Sequence, residues 1–214
     1  VDPFLFCGWC EQCKRGEYRF CQNELFIGYQ RPGGYSQFLC VPHTNVHPVP
    51  KKMGIQEGVL VETLSTVLAG LSILKPEAGR TYLLLGAGTV GLLWNRALKA
   101  ALPAFLIQTE LIAFRRQRAL ALGADRVLSP REEILEKVVL DLCPEGVDYL
   151  IDATGCTQAV AEALPLLRKG GTLLVFGIPP EGENLPLSLN WFYKRQVRFL
   201  TSRRPPGEMG RAIR

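Results

Sequence analysis

The chain has 214 residues, 47% of them hydrophobic and 21% charged, so it can bury a sizeable core and has the wrong composition for a disordered chain. Its net charge of +5 concentrates near the C-terminus, at Lys194, Arg195, Arg198, Arg203, Arg204, Arg211 and Arg214, with no aromatic-basic motif beside it, which favours a solvated face over a nucleic-acid patch. No run of eighteen apolar residues suits a membrane span and no signal-peptide pattern opens the chain, so a cytoplasmic protein with neither nucleic acid nor membrane as partner is expected.

The first fifty residues hold five prolines, five glycines, five of the seven cysteines and both histidines. Short strand-like runs such as YSQFLCVP alternate there with turn signals, which predicts a loop-rich, mostly β segment. Within it CGWCEQCKRGEYRFC places Cys7, Cys10, Cys13 and Cys21 at C-x2-C-x2-C-x7-C spacing. Four thiolates so spaced can close a tetrahedral site on zinc and leave no vacant position for water, the mark of a structural rather than a Lewis-acid metal. Disulfides suit exported chains, and the bacterial iron–sulfur run ends C-x3-C-P, which this one does not. Structural zinc is the favoured occupant. Cys40, Cys143 and Cys156 are scattered and are expected to pack as small side chains.

From Gln56 the period changes. EGVLVETLSTVLAGLSIL has helical spacing and predicts a connecting helix, and VPHTNVHPVPKKMG before it predicts a boundary, with a first domain over 1–52 and a second over 53–214. Strand-like runs then follow at 82–86, 104–109, 125–129, 147–154, 171–178 and 197–202, with helical patterns at 90–101, 112–122, 131–142, 157–168 and 188–195. Short apolar strands alternating with amphipathic helices call for a parallel sheet covered on both faces, and six strands suit a doubly wound α/β dinucleotide fold.

YLLLGAGTVGLLWNRALKA sets Gly86, Gly88 and Gly91 at G-x-G-x-x-G spacing where a strand passes into a helix, with Thr89 and Val90 between them. The first glycine permits a tight turn, the second a close approach of backbone to a pyrophosphate, and the third close helix–strand packing. Glu110, nineteen residues after Gly91 at the end of the next strand, is placed to accept hydrogen bonds from ribose hydroxyls. That favours NAD over NADP, although Arg115 and Arg116 nearby are able to pair a phosphate. Ligands of open α/β sheets lie beyond the carboxyl ends of the strands, so Thr154 and Gly155 of DATGC and Gly177, Ile178 and Pro179 of FGIPP join the candidates, with ordinary turn chemistry as the alternative.

Taken together these residues resemble the zinc-dependent medium-chain dehydrogenase/reductases, above all the branch holding sorbitol, threonine and butanediol dehydrogenases. CGWCEQCKRGEYRFC resembles the structural-zinc lobe of that family, including Gly8 and Gly16; RPGGYSQFLCVP resembles the strand pair after it; VETLSTVLAG, GAGTVGLL, IDATG and LLVFGIPP resemble its connecting helix, nucleotide loop and later strand ends. The resemblance implies part of a GroES-like domain followed by a Rossmann domain, and a hydride transfer between a secondary alcohol or polyol and NAD(P). It places Arg115 against the adenine and Glu62 near a second, catalytic zinc, the other ligands of which precede this sequence in the family. Thr63 and Ala69 stand where members carry proline and histidine, and His43 and His47 lie in the proline-rich exit, where turn or surface roles are expected. An internal piece of a longer protein, inactive on its own in the family's terms, is therefore the expectation, and the resemblance implies a homo-oligomer, dimer or tetramer, at full length. Two other readings stand beside this one: a zinc-free NADPH-dependent enone or quinone reductase of the same superfamily, and a non-catalytic four-cysteine module joined to a nucleotide-sensing domain.

Overall fold

The computed structural model describes residues 1–203 and 208–214, so Arg204 of the basic cluster lies outside the described residues. The chain divides into two compact units, Val1–Ala69 with Arg203–Arg214, and Gly70–Ser202.

The first unit has little regular structure. Strands β1 (Phe4–Leu5) and β2 (Leu25–Phe26) pair antiparallel, and a single turn of helix, α1 (Glu11–Lys14), lies among the cysteines. The predicted strand in YSQFLCVP does not form: Tyr35 and Phe38 are exposed and no strand is assigned there. An extended segment becomes a strand only where a neighbour takes up its N–H and C=O groups, and none does so for this one among the described residues. The connecting helix α2 (Ile55–Leu74) is present over 20 residues. By length and composition it would suffice to cross a membrane, although Glu57 and Glu62 interrupt it; a core helix passes the same test. Val61 packs with Met209 and Ala212 of α8 (Met209–Ile213). That contact lies within the first unit, which takes in α2 as far as Ala69 together with the C-terminal helix.

The second unit is a six-stranded parallel sheet: β3 (Thr81–Leu85), β4 (Phe105–Thr109), β5 (Arg126–Leu128), β6 (Val147–Asp152), β7 (Leu167–Val175) and β8 (Arg198–Thr201), in the order β5-β4-β3-β6-β7-β8. The chain winds outward from β3 to β5, returns to lie beside β3 and winds the other way, which sets a topological switch point between β3 and β6. Helices α3 (Thr89–Ala101), α4 (Ala113–Ala121), α5 (Leu135–Leu142), α6 (Thr157–Ala163) and α7 (Leu189–Arg195) fill the crossovers.

Burial on both faces explains why the central strands are continuous apolar runs. Leu83, Leu85, Ile107, Leu150 and Leu173 are sealed among Val139 of α5 and Val160 and Ala163 of α6, each contributing about 1.5–3 kcal/mol. Helix α3 turns Gly91, Trp94, Asn95 and Leu98 inward at three- and four-residue spacing. Trp94 is fully buried, meets the Phe176 ring edge-on at 5.3 Å and lies so close to Gly70 that a Cβ there would fall 2.4 Å from its ring.

Several boundaries differ from the sequence pattern. The predicted helix over 157–168 ends at Ala163, gives way to a 3-10 turn (Leu164–Leu166) containing Pro165, and Leu167 already pairs with Val147. Helix α5 starts at Leu135 because Glu132 and Glu133 turn their N–H groups back on the Ser129 carbonyl. Strand β7 ends at Val175, where the N–H groups of Phe176 and Gly177 both close on the Asp152 carbonyl.

Candidate functional site

Register brings the site together. Leu85 is level with Thr109 on one side and Asp152 on the other, and Asp152 is level with Val175. The carboxyl ends of four strands therefore deliver Gly86, Glu110, Thr154 and Gly177 to one edge of the sheet. A cavity of about 530 Å3 opens there, lined by Gly86, Thr109, Glu110, Arg131, Thr154, Cys156 and Glu162 among others.

The glycine turn has the form its spacing predicts. Gly88 caps α3 in extended conformation, and a Cβ on it would meet nothing within 4 Å, leaving room for a ligand to approach the backbone. Gly91 is tight: a Cβ would lie 2.2 Å from the Gly86 carbonyl oxygen. Thr89, Val90 and Gly91 form the first turn of α3, whose N–H groups have no intrahelical acceptor and whose dipole favours an anion.

Glu110 is 8% exposed and faces the cavity. Its carboxylate already accepts from the Ala87 N–H at 2.8 Å and the Ile112 N–H at 3.0 Å, and with roughly four lone-pair positions it keeps capacity for hydroxyl donors. Arg116 is tied to the Glu110 and Leu111 carbonyls and to Glu132 at 3.1 Å, whereas Arg115 is exposed on α4 and Arg131 stands on the cavity wall. Thr154 lines the cavity and is held by Asp152, which accepts from its N–H at 2.8 Å and its hydroxyl at 2.6 Å, and from the Gly155 N–H at 3.2 Å. Gly155 and Gly177 abut, since a Cβ on Gly177 would fall 2.1 Å from the Gly155 nitrogen. Ile178 is exposed, and Pro179 lines a smaller cavity with Gly155.

Buried polar residues at this edge that are not among those the motifs point to include Asn95, Gln108, Thr109 and Asp152. Their signal in the sequence is a polar side chain inside an apolar period, as in FLIQT and YLID.

In the first unit the Sγ atoms of Cys7, Cys10, Cys13 and Cys21 all lie within 4.8 Å of one another, with Cys7 and Cys13 at 3.9 Å. Tetrahedral sulfur ligation at ~2.3 Å from zinc separates the sulfurs by ~3.8 Å, so the donor set fits that ion. The Cys7 sulfur accepts N–H bonds from Cys10 at 3.3 Å and the Asn23 amide at 3.7 Å. Burial pushes the Cys7 thiol up, but the N–H groups of Trp9 and Cys10 and the Asn23 amide outweigh it and hold the thiol at about 6. The N–H groups of Cys13 and Gln22 lower Cys10, while burial pushes Cys13 up to about 12. A metal ligand is the thiolate, so these N–H donors favour the binding form at two of the four positions. Among the described residues this is the one group of three or more ligand-type side chains near enough to share an ion; Glu62 is exposed on α2, and His43 and His47 lie outside any such group. The basic residues disperse: Arg195 lies over Trp191, Arg203 pairs with Glu24, and Arg211 pairs with Glu208.

The zinc-binding dehydrogenase family model matches residues 89–213, more than half of the chain, and the alcohol dehydrogenase GroES-like domain model matches residues 1–51. L-threonine 3-dehydrogenase of Pyrococcus furiosus is 35% identical over 185 residues, 84% of this chain and 52% of that protein. Sorbitol dehydrogenase of Bombyx mori is 33% identical over 194 residues, 88% of this chain and 56% of that one. The chain thus spans little more than half the length of these relatives. A zinc-binding dehydrogenase of Sinorhizobium meliloti, crystallised with NADP, superposes with a TM-score of 0.94 at 29% identity, covering 99% of this chain and 63% of that one. By both its sequence and its fold, the chain belongs to the zinc-binding dehydrogenase family.

Proposed function

We propose that the chain is the nucleotide-binding unit and structural-metal lobe of an NAD(P)-dependent oxidoreductase that moves a hydride between the cofactor and a secondary alcohol or polyol. The observation that carries this reading is the glycine turn and the Glu110 carboxylate meeting at one cavity beyond the strand ends. The nicotinamide cofactor supplies the hydride acceptor. This chain's residues bind and orient it: the first turn of α3 neutralises the pyrophosphate, Glu110 accepts from the adenosine ribose hydroxyls, and Thr154 and Gly155 edge the crevice where β6 ends. A carboxylate at the ribose favours NAD and repels a 2′-phosphate. Arg115 contributes from the exposed face of α4, and Gly177, Ile178 and Pro179 from the end of β7.

Cys7, Cys10, Cys13 and Cys21 would hold a structural zinc. Four sulfurs close its coordination, so its work is to fix the lobe. We assign Glu62 to the neighbourhood of a separate catalytic zinc in the whole protein. Relatives named for threonine and sorbitol support a substrate bearing a secondary hydroxyl.

Calorimetric titration of the purified chain with NAD and with NADP, alongside its zinc content, tests this reading. One zinc per chain that survives dialysis, and NAD bound at least tenfold more tightly than NADP, is the expected result. Equal affinity for the two would remove the ribose role from Glu110, and binding of neither would remove the function.

A further inference from the structure

The Gly86–Ala87 peptide is gripped at both ends, by Gln108 of β4 and by Glu110 just beyond that strand. Its carbonyl accepts from Gln108 Nε2 at 2.8 Å, and its N–H donates to Glu110 Oε2 at 2.8 Å. Gln108 Nε2 also reaches the Gly91 carbonyl at 3.3 Å, the far side of the same turn. The Gln108 carboxamide is itself oriented, because its Oε1 accepts from Asn95 Nδ2 at 2.7 Å, and Asn95 Nδ2 donates in addition to the Ala119 carbonyl of α4 at 2.8 Å. Gln108 and Asn95 are both fully buried.

Buried amides in an otherwise apolar layer are costly unless paired, and a medium-length apolar side chain would fill the same space beneath a helix. What the carboxamide adds is directional. Gly86 has φ +91°, in the region open to glycine, where the following peptide plane is able to rotate at little steric cost. Rotation of that plane would carry its carbonyl toward the ligand side, where a pyrophosphate oxygen must lie.

We infer that Gln108 is a positioning residue for the dinucleotide phosphates: with Glu110 it locks the Gly86–Ala87 peptide so that the carbonyls of Gly86 and Gly91 face inward and the N–H groups at the start of α3 face the cofactor. Asn95 fixes which end of the Gln108 amide points at the turn. The inference rests on the cofactor reading proposed above and adds to it a residue that touches no ligand. Its signature is selectivity for phosphate. Adenosine, which lacks phosphates, has no contact with the turn that the lock shapes, whereas NAD does.

The test compares NAD and adenosine binding by the wild-type chain and by Gln108→Leu and Gln108→Met, which match the volume without the donor. Calorimetry serves for NAD and ligand-observed NMR for adenosine. We expect the Kd for NAD to rise about tenfold in both variants and that for adenosine to stay within twofold, with Asn95→Leu giving a smaller loss of the same selective kind. Unchanged NAD affinity in a folded Gln108→Met chain overturns the inference and leaves the cofactor reading standing. Parallel losses for NAD and adenosine also overturn it, because a merely structural role weakens both. Wild-type chain that binds neither ligand overturns the inference and the cofactor reading together.

Discussion

The cysteine lobe and the glycine turn both hold irregular backbone in a fixed shape, and they do it by opposite means. Around Cys7–Cys21 there are one turn of α-helix, a 3-10 turn (Tyr18–Phe20) and a pair of two-residue strands, so the backbone hydrogen bonds within that stretch are short-range and the buried cluster is made of the cysteines themselves. Four sulfurs within 4.8 Å stand in for a core, and an ion is needed to join them. The turn at Gly86–Gly91 needs no ion. It sits on a sheet whose central strands are buried on both faces and is gripped by Gln108 of β4 and by Glu110 just beyond it. The contrast teaches where stability resides: in the first region it arrives with a ligand, in the second it is built into the sequence.

The largest expected effect breaks the comparison at the lobe. Zinc binding to small structural cysteine sites is worth roughly 10–16 kcal/mol in apparent terms, so Cys10→Ser, or chelation of the wild-type chain, is expected to release the metal and unfold the lobe. Hydrogen exchange should then lose protection around residues 7–21 while β3 and β6 keep theirs. Loss of protection in the sheet as well would show that the two regions share one source of stability.

A smaller effect is expected when the turn is overfilled. In Gly91→Ala the new methyl would sit 2.2 Å from the Gly86 carbonyl oxygen, and relief by shifting α3 costs about 1–3 kcal/mol. Thermal unfolding should register that cost in the second unit alone, and NAD titration should weaken more than tenfold as the helix moves off the strand ends. A variant as stable and as avid as the wild type would mean that the turn is not held as rigidly as its contacts imply.

The smallest effect is a pH dependence at the opposite end of the sheet. Burial pushes the Asp148 carboxyl up, but the Thr81 N–H and hydroxyl and the Arg168 guanidinium outweigh it and hold it below the usual carboxylate range. A carboxyl lowered by folding stabilises the protein above its unfolded pKa of about 4 and loses that contribution as the pH falls through the folded value. The melting temperature of the second unit should therefore fall with acid below about pH 4, and Asp148→Asn should melt lower at neutral pH with a shallower acid limb. An unaltered acid limb would assign that dependence to other carboxylates.

What was legible in the sequence follows the same division. The central strands β3, β4 and β6 show as apolar runs because a strand buried on both faces needs no partner-specific pattern to declare itself, whereas the edge strand β8 is mostly exposed. The run at YSQFLCVP carries similar residues, yet no strand forms there, since a half-buried strand exists only with its neighbour. The four cysteines and three glycines were legible because spacing alone brings them together. Glu110 was legible from its distance along the chain, but not its bond to Ala87, which depends on the register of β3 and β4. Gln108, Asn95 and Asp152 were hidden for the same reason: which carbonyl or N–H a buried amide or carboxylate meets is decided by strand alignment, and no local pattern states it.

The burial of Trp94 has a practical consequence. It lies one helical turn from Gly91, shielded from water by Phe176 and the bare backbone of Gly70, while Trp9, beside Cys10, is 66% exposed. A shielded indole emits to the blue of a hydrated one, so of the three indoles Trp9 reports on the first region, and Trp94, with the partly buried Trp191, reports on the second. Melting of the sheet shifts the blue part of the emission to the red and leaves that of exposed Trp9 nearly still, so an emission spectrum followed through a thermal ramp tells when the sheet has responded.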